Sequence, residues 1–449
     1  MEKLKSKVFK RSMGRKIKDF FKLNIVKGDI GLWMIYFLLC MVSIVTIYSA
    51  SSQLTFKSER HWEPMVSQVG FLVVGFIIAV VLSKVPCKYF KLIPVVGLPL
   101  AFCLLVYVLV ASKGVNDASR WISLFGISFQ PSEIAKTMLI MAVAVVLSKL
   151  QKEEKIKTKK GTKIVVRATK GGYKKAFTIV GLLTFLICGA IAPENFSTAF
   201  MLFTVIVIMM FIGNVPVKLM MKGLTVLLVV GALFVTALLV LPASTLQNFR
   251  RAATWKHRIE QKIGLEDVDK DSQKYKDDTR QVNMSKVAIA SSNITGVGVG
   301  NSVTRDFLPH AESDFIYSII IEETGVAGAV VVLLLFVMLL IRVGRVAQKC
   351  DRFFPAFLVV GLGLMMVMQA MVNMSVAVGL IPVTGQTLPL ISHGGTSIIL
   401  TSFNFGLILS VSRYAEGVAD KKGKAAKKII EDEDTLLETD EIYSNVGMA

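Results

Sequence analysis

The sequence predicts an all-α polytopic membrane protein with ten transmembrane helices, cytoplasmic N and C termini and one large extracytoplasmic loop between the seventh and eighth helices. Three observations predict it. Apolar residues make up 53% of the 449 positions, with a mean hydropathy of +0.60. Charged residues, 19% in all, gather in a few segments between long apolar runs. Ten of those runs are long enough, or nearly so, to cross about 30 Å of hydrocarbon.

The runs fall near 29–50, 65–83, 91–111, 132–149, 176–192, 197–213, 218–241, 315–342, 355–379 and 394–412. Only Pro193-Glu194-Asn195-Phe196 separates the fifth from the sixth. The first run is too long for a cleaved leader and lacks a small-residue cleavage site, so it is expected to remain as a span. Residues 1–27 carry ten Lys or Arg against Glu2 and Asp19, which places the N-terminus in the cytoplasm. Alternation then puts the other basic segments on the same side. These hold Lys84, Lys88 and Lys91; eleven Lys or Arg over 149–175; Lys218 and Lys222; Arg342, Arg345, Lys349 and Arg352; and Arg413 with the tail. The chain divides into a basic cytoplasmic segment (1–28), a membrane domain (29–413) whose large outer loop spans 242–314, and a cytoplasmic tail (414–449). That tail turns from basic (421–428) to acidic (431–441), the composition of a disordered docking segment.

The net charge of +20 therefore follows topology and suits an anionic inner leaflet. No aromatic-interleaved basic surface accompanies it, so no nucleic-acid partner is expected. The five cysteines lie in spans or on the predicted cytoplasmic side, so no disulfide is expected. No CxxC or Cys/His spacing predicts a metal site, and the four His residues are scattered.

Chemistry-bearing residues collect on the outer side. The first outer segment, 51–64, carries Arg60, His61 and Trp62 at the expected interface and suggests no function. The second, NDASRWISLFGISFQPSEIAK (116–136), has Arg120-Trp121, a turn at Gly126, and Pro131 in the first turn of the fourth span. Glu133 and Lys136, three apart, share a face and can pair. They read either as an ion pair holding the helix end or, with Arg120, as cations facing an anionic ligand.

In the stretch DFLPHAESDFIYSIIIEETG (306–325), Asp314 stands where a polar segment meets an apolar helix. It reads as a helix cap or as an ionised functional carboxylate, and the spacing suits both. Ser318, Glu322 and Gly325 fall within about 80° of it on a 3.6-residue period. Glu322 would lie on the order of 12 Å deeper, where a carboxylate is functional or paired. Glu323 faces the other way and needs its own partner.

In the large loop, Arg250, Arg251 and Arg258 stand next to the seventh span and suit phosphate contact, since Arg binds phosphate in a bidentate manner. The rest of the loop reads as short amphipathic helices at the interface. Gly296, Gly298 and Gly300 resemble half of a phosphate loop but lack its Lys-Ser/Thr, and so read as a flexible connection to Asp314. Gln369 and Asn373, four apart, read as interhelical hydrogen-bond glue. The segment GLIPVTGQTLPLISHGGTS (379–397) is irregular backbone that is tolerated at membrane depth only when buried in protein or lining a cavity.

The pattern RW…QPSE…K, then LP…DFI…EE.G, then LPLISHGGTS, all on the outer side and in that order, is similar to the SEDS family of bacterial peptidoglycan polymerases. The resemblance covers about 29–413. Three departures stand out: Ala192-Pro193-Glu194-Asn195-Phe196-Ser197-Thr198 replaces a QPDLGT-like motif, Pro309-His310-Ala311-Glu312-Ser313-Asp314 scrambles PEAHTD, and Ser392-His393-Gly394-Gly395-Thr396-Ser397 replaces SYGGSS. Asp314, Arg120, Lys136 and the glycines carry over. The wording Leu388-Pro389-Leu390-Ile391-Ser392 is closer to the division branch than to the elongation branch.

The resemblance implies lipid II, an undecaprenyl-pyrophosphate disaccharide-pentapeptide, as substrate. It also implies a class B penicillin-binding transpeptidase and other division proteins as partners, and a septal place in the bacterial cytoplasmic membrane. The donor sugar is α-linked to pyrophosphate and the product is β-1,4-linked, so a single inverting displacement suffices. It needs a base for the acceptor hydroxyl, for which Asp314 is the candidate. It also needs positive charge on the leaving pyrophosphate, from Arg120, Lys136 and the cluster Arg250, Arg251 and Arg258. Glu133, Ser392, Gly394 and Gly395 complete the expected substrate site. A divalent cation, Mg or Mn, near Asp314 would share the load. An elongation-type polymerase, a lipid II flippase and a non-catalytic scaffold are the other readings. Internal inverted repeats would favour the flippase, and none is visible.

Overall fold

The computed structural model describes residues 28–50, 62–111, 122–124, 127–158, 161–168, 172–240 and 273–419. Arg120, Arg250, Arg251 and Arg258 lie outside them, as do 1–27 and 420–449.

The described residues form eleven α-helices and two small hairpins: α1 (Ile30–Ala50), α2 (Glu63–Lys84), α3 (Ile93–Ala111), β1 (Ile122–Leu124), β2 (Ile127–Phe129), α4 (Pro131–Leu150), β3 (Gln151–Thr158), β4 (Gly161–Ala168), α5 (Gly172–Ile191), α6 (Phe196–Ile212), α7 (Val217–Val240), α8 (Gln273–Ser291), α9 (Ile316–Lys349), α10 (Phe353–Ala377) and α11 (Gly395–Ala419). Each predicted apolar run falls on one helix. Eight of them, α1 to α5 and α9 to α11, are long and apolar enough to cross a membrane. The apolar α6 is shorter, at 17 residues, and α7 carries Lys218 and Lys222 in its first turns. Helix α11 continues past the predicted end of the domain at 413 to Ala419. The reason is its buried side: Val411, Ser412 and Ala415 are almost fully covered, so the packed face does not stop at Arg413.

The core centres on α10 and α1. Helix α10 packs on α4, α6 and α9, and α1 packs on α2 and α9. Leu139, Ile140, Val143, Phe336, Leu358, Phe405 and Ile408 are almost fully buried there. Small residues let the helices approach. A Cβ on Gly75 of α2 would lie 2.4 Å from Ser402 Oγ of α11, beside the Tyr36–Ser402 hydroxyl contact of 3.1 Å. At the opposite end Arg342 Nη1 pairs with Asp29 at 3.4 Å, and the Asp29 amide donates to Ser412 Oγ at 2.6 Å.

The hairpins follow from local sequence. β1 and β2 pair antiparallel, Leu124 against Ile127; Gly126, where the turn was expected, lies outside the described residues. β3 and β4 pair Thr158 with Gly161 inside the basic 149–175 segment, for which the sequence had suggested no secondary structure. Ile164, Val165 and Val166 supply the β-branched residues that favour a strand.

Helix α8 corrects a second expectation. Its last turns do not lie apart at an interface but dock on the bundle. Ser285 is buried, and its hydroxyl contacts Ser318 Oγ of α9 at 2.6 Å and donates to the Ala377 carbonyl of α10 at 2.5 Å.

Candidate active site

Three segments meet at one end of the bundle: 302–315 before α9, 379–394 between α10 and α11, and the start of α4. Their meeting is made largely through main-chain carbonyls. The Glu312 carbonyl accepts from the His393 amide at 2.8 Å. The Ser313 carbonyl accepts from Ser392 Oγ at 2.6 Å, and the Asp314 carbonyl accepts from Asn373 Nδ2 at 2.8 Å. Three consecutive carbonyls are thus tied to the loop and to α10. The half-buried Asp314 is thereby held at its backbone carbonyl.

Asp314 does not occupy the helix cap. The N-cap position of α9 is Phe315, one residue later, and its side chain makes no capping bond. The face that the 3.6-residue period assigned to Asp314 also divides. Ser318 is bonded to Ser285. Glu322 turns to the loop, accepting from Ser302 Oγ at 2.5 Å and from the Thr304 amide and hydroxyl at 3.2 and 2.9 Å. Glu323 finds its own partners, the Ser49 hydroxyl of α1 and the Gly300 amide at 3.1 Å.

The segment that meets Glu322 and Glu323 docks beside Gly325. The φ of +70° and ψ of −168° at Gly325 break α9, a backbone region open essentially to glycine alone. The Val297 and Gly298 amides donate to the Glu322 and Glu323 carbonyls, both at 2.9 Å, on the N-terminal side of the break. The glycine segment expected as a flexible connection is therefore a backbone clamp. Gly296 stands so close that a Cβ there would lie 2.3 Å from the Glu323 carbonyl oxygen, and one on Gly325 would lie 2.1 Å from that of Ile294. Gly325→Ala is expected to destabilise the protein by about 3 kcal/mol or more through strain and backbone overlap. Gly344→Ala, on the same helix with open space around its Cβ, should be neutral or slightly stabilising. Melting curves of the two purified variants check this; equal melting points would contradict it.

The cation side is partly visible. Lys136 is 3% exposed and pairs with Glu133, Nζ to Oε1 2.6 Å. Pro131 opens α4, and Glu133 sits in its first turn, near the positive end of the helix dipole. The ion-pair reading of 133 and 136 is therefore realised. Lys136 Nζ also donates to Gln369 Oε1 at 3.2 Å, and Gln369 Nε2 donates to the Thr387 carbonyl at 3.0 Å. One turn further along α10, Asn373 bonds to Asp314 and donates to the Gln386 carbonyl at 2.7 Å. The two amides glue loops to α10 more than helix to helix.

In the 379–394 segment, Ser392 is buried and also accepts from the Leu388 amide at 2.7 Å. Gly395 gives α11 its close approach to α2: a Cβ there would lie 2.4 Å from Phe71 Cζ, whereas at Gly394 it would make an ordinary contact. Burial holds the His393 imidazole below its ordinary value, against the opposing pull of the Glu312 carboxylate.

Five positions had been given no role in the sequence: Ser43 and Gln68 were passed over, and Asn195, Thr198 and Gln386 stood only inside quoted motifs. Gln68 holds His393 Nδ1 at 3.2 Å and Ser43 Oγ at 2.8 Å, and Ser43 donates to the Ile391 carbonyl at 3.1 Å. Asn195 caps α6 by accepting from the Thr198 amide at 3.0 Å, and Gln386 Nε2 donates to Thr198 Oγ1 at 2.5 Å. The available signal at Ser43 and Gln68 was a polar side chain within an apolar run, and at Asn195 and Thr198 one at its edge. The Asn373 Oδ1 and Gln386 Oε1 oxygens are buried without a hydrogen-bond partner.

The comparisons bear on the same span of chain. The model of the cell cycle protein family FtsW/RodA/SpoVE matches residues 30–417. The probable peptidoglycan glycosyltransferase FtsW of Saccharophagus degradans is 31% identical over 393 residues, covering 86% of this chain and 92% of its own. That of Coxiella burnetii is 27% identical over 405 residues, covering 88% and 99%. Among solved structures, a chain of a peptidoglycan synthase complex that coordinates polymerization and crosslinking superposes with a TM-score of 0.63 at 23% identity, covering 86% of this chain and 98% of that one. The rod shape determining protein RodA of Thermus thermophilus superposes at 0.57 and 21%, covering 86% and 97%. With the eight apolar helices, these matches make the chain a multi-pass membrane protein with this fold.

Proposed function

The chain belongs to the FtsW/RodA/SpoVE family of cell cycle proteins, and from that premise we propose that it is a peptidoglycan glycosyltransferase of the FtsW type, polymerising lipid II into glycan strands during septal wall synthesis. The supporting observation is the three-carbonyl tie of 312–314, two carbonyls to the irregular 379–394 segment and that of Asp314 to Asn373 of α10, which presents Asp314 at a fixed backbone position.

Asp314 takes the proton of the acceptor 4-hydroxyl. The new O–C1 bond forms as the C1–O bond to pyrophosphate breaks, inverting the sugar from α to β, and undecaprenyl pyrophosphate departs. Pyrophosphate leaves without a general acid, so no second carboxylic acid is required, unlike an inverting glycoside hydrolase. Lys136 supplies charge from inside the wall, and Arg120, Arg250, Arg251 and Arg258 supply it from the loops. Glu133 sets the position of Lys136, while Ser392, Gly394 and Gly395 belong to the substrate-facing wall. A divalent cation, Mg or Mn, would neutralise phosphate charge. No three His, Cys, Asp or Glu side chains converge on one point among the described residues. Its protein ligands would therefore be Asp314 and the partnerless Asn373 and Gln386 oxygens, hard donors that suit such ions. A class B penicillin-binding transpeptidase would cross-link the product, in a complex with other division proteins at the septum of the cytoplasmic membrane. The test is glycan chain synthesis from lipid II by the purified protein with its transpeptidase. Absence of any glycan product would leave transport or scaffolding.

The topology that goes with this function has ten spans, both termini and 149–175 in the cytoplasm, the 242–314 loop and Asp314 outside, and the tail from 414 in the cytoplasm. A Lys160→Cys variant in a cysteine-free background should resist a membrane-impermeant thiol reagent applied to spheroplasts and react after lysis. Labelling of intact spheroplasts would reverse the orientation.

A further inference from the structure

One charged cleft takes no part in this chemistry. The starts of α5 and α7 enclose an open cleft of about 480 Å³ lined by Tyr173, Lys174, Pro216, Lys218, Leu219 and Lys222. Three of the six are exposed lysines and none is acidic. The basic-loop asymmetry assigns this end to the cytoplasm. Both helices begin here, so two positive dipole ends add to the lysine charge. The wall between them is tight, since a Cβ on Gly223 of α7 would lie 2.3 Å from Phe177 Cζ of α5. Beyond it the exposed apolar side chains of α7, among them Met221, Leu224 and Leu228, continue along the helix. A positive cleft opening onto an apolar helix surface matches a ligand with an anionic phosphodiester head and acyl tails.

We propose that this cleft binds the phosphate head of an anionic phospholipid of the inner leaflet, through Lys174, Lys218 and Lys222, with Pro216 and Leu219 beneath the glycerol. The chemistry required is a phosphate group, which a soluble anion also offers, so the test separates the two sources. Full-length protein in detergent is titrated with dioleoylphosphatidylglycerol, dioleoylphosphatidylethanolamine or inorganic phosphate, with binding read by native mass spectrometry and melting curves.

Phosphatidylglycerol should bind and raise the melting point, and the zwitterionic lipid should not. Changing all three residues to Gln should weaken binding roughly 10²-fold, at about fivefold per lysine. Changing all three to Arg should preserve it. Changing Lys84, Lys88 and Lys91 to Gln, basic residues at the same end outside the cleft, should leave it intact. If the triple Gln variant does not fold, Lys218→Gln and Lys222→Gln singly should each weaken binding about fivefold, and unchanged affinity in both would overturn the proposal. It is equally overturned by full affinity in a folded triple Gln variant, equal loss in the Lys84, Lys88 and Lys91 variant, or equal binding of the zwitterionic lipid. Inorganic phosphate giving the whole melting shift would assign the cleft to a soluble anion and overturn the lipid reading.

Discussion

Asp314→Asn is expected to lower lipid II polymerisation by at least ~10² while leaving the melting curve where the wild type has it. The substitution keeps the volume and removes charge and basicity. The structure gives a reason why folding survives: Asn373 is bonded to the Asp314 carbonyl, which any residue supplies, and Phe315 holds the cap position. Whether the carboxylate is the base or holds a cation that does the base's work, its loss costs the proton transfer. Glu312→Gln is the comparison. The Glu312 carbonyl, too, is what the His393 amide uses, so the smaller effect is expected there. The assay is glycan chain synthesis from lipid II with the transpeptidase present, beside a melting curve. Wild-type polymerisation by Asp314→Asn would end the proposed mechanism.

Lys136→Ala is expected to lose both stability and activity. It leaves the Glu133 carboxylate, 17% exposed, without its ammonium and deprives Gln369 of its donor. Breaking a buried pair by removing one partner costs about 3–5 kcal/mol. Removing both charges is a different operation and is often close to neutral. The double variant Lys136→Met with Glu133→Gln should therefore recover most of the melting point and, on the proposed mechanism, still polymerise poorly, because the positive charge assigned to the leaving group is gone. A double variant that melts and polymerises like the wild type would reduce the pair to a structural joint.

The helices were legible because apolar runs longer than the hydrocarbon thickness admit few other structures, and the Glu133–Lys136 pair because three-residue spacing on a helix brings side chains together. What escaped the sequence was backbone chemistry. The period of 3.6 assigned Glu322 and Gly325 to the face of Asp314, but Asp314 stands outside the helix and Gly325 breaks it. Nothing in the residue letters says that Val297 and Gly298 will donate to the carbonyls freed there. Ser285 likewise lay in a segment whose charges suggested an interfacial helix, although its own hydroxyl is buried between α9 and α10. Polar atoms that bind main chain across dozens of residues leave no periodic mark.

The break at Gly325 also bears on how the molecule is assembled. Left alone in hydrocarbon, the Glu322 and Glu323 carbonyls would be orphaned at a cost of several kcal/mol each, so α9 enters the bilayer most cheaply as an unbroken rod of about 51 Å at 1.5 Å per residue. Only when the 294–305 segment arrives are both carbonyls and both carboxylates met at once. The bend and the strap therefore depend on each other, and a chain that never seats this segment would carry every span and still lack the finished end of the bundle where 302–315 and 379–394 meet.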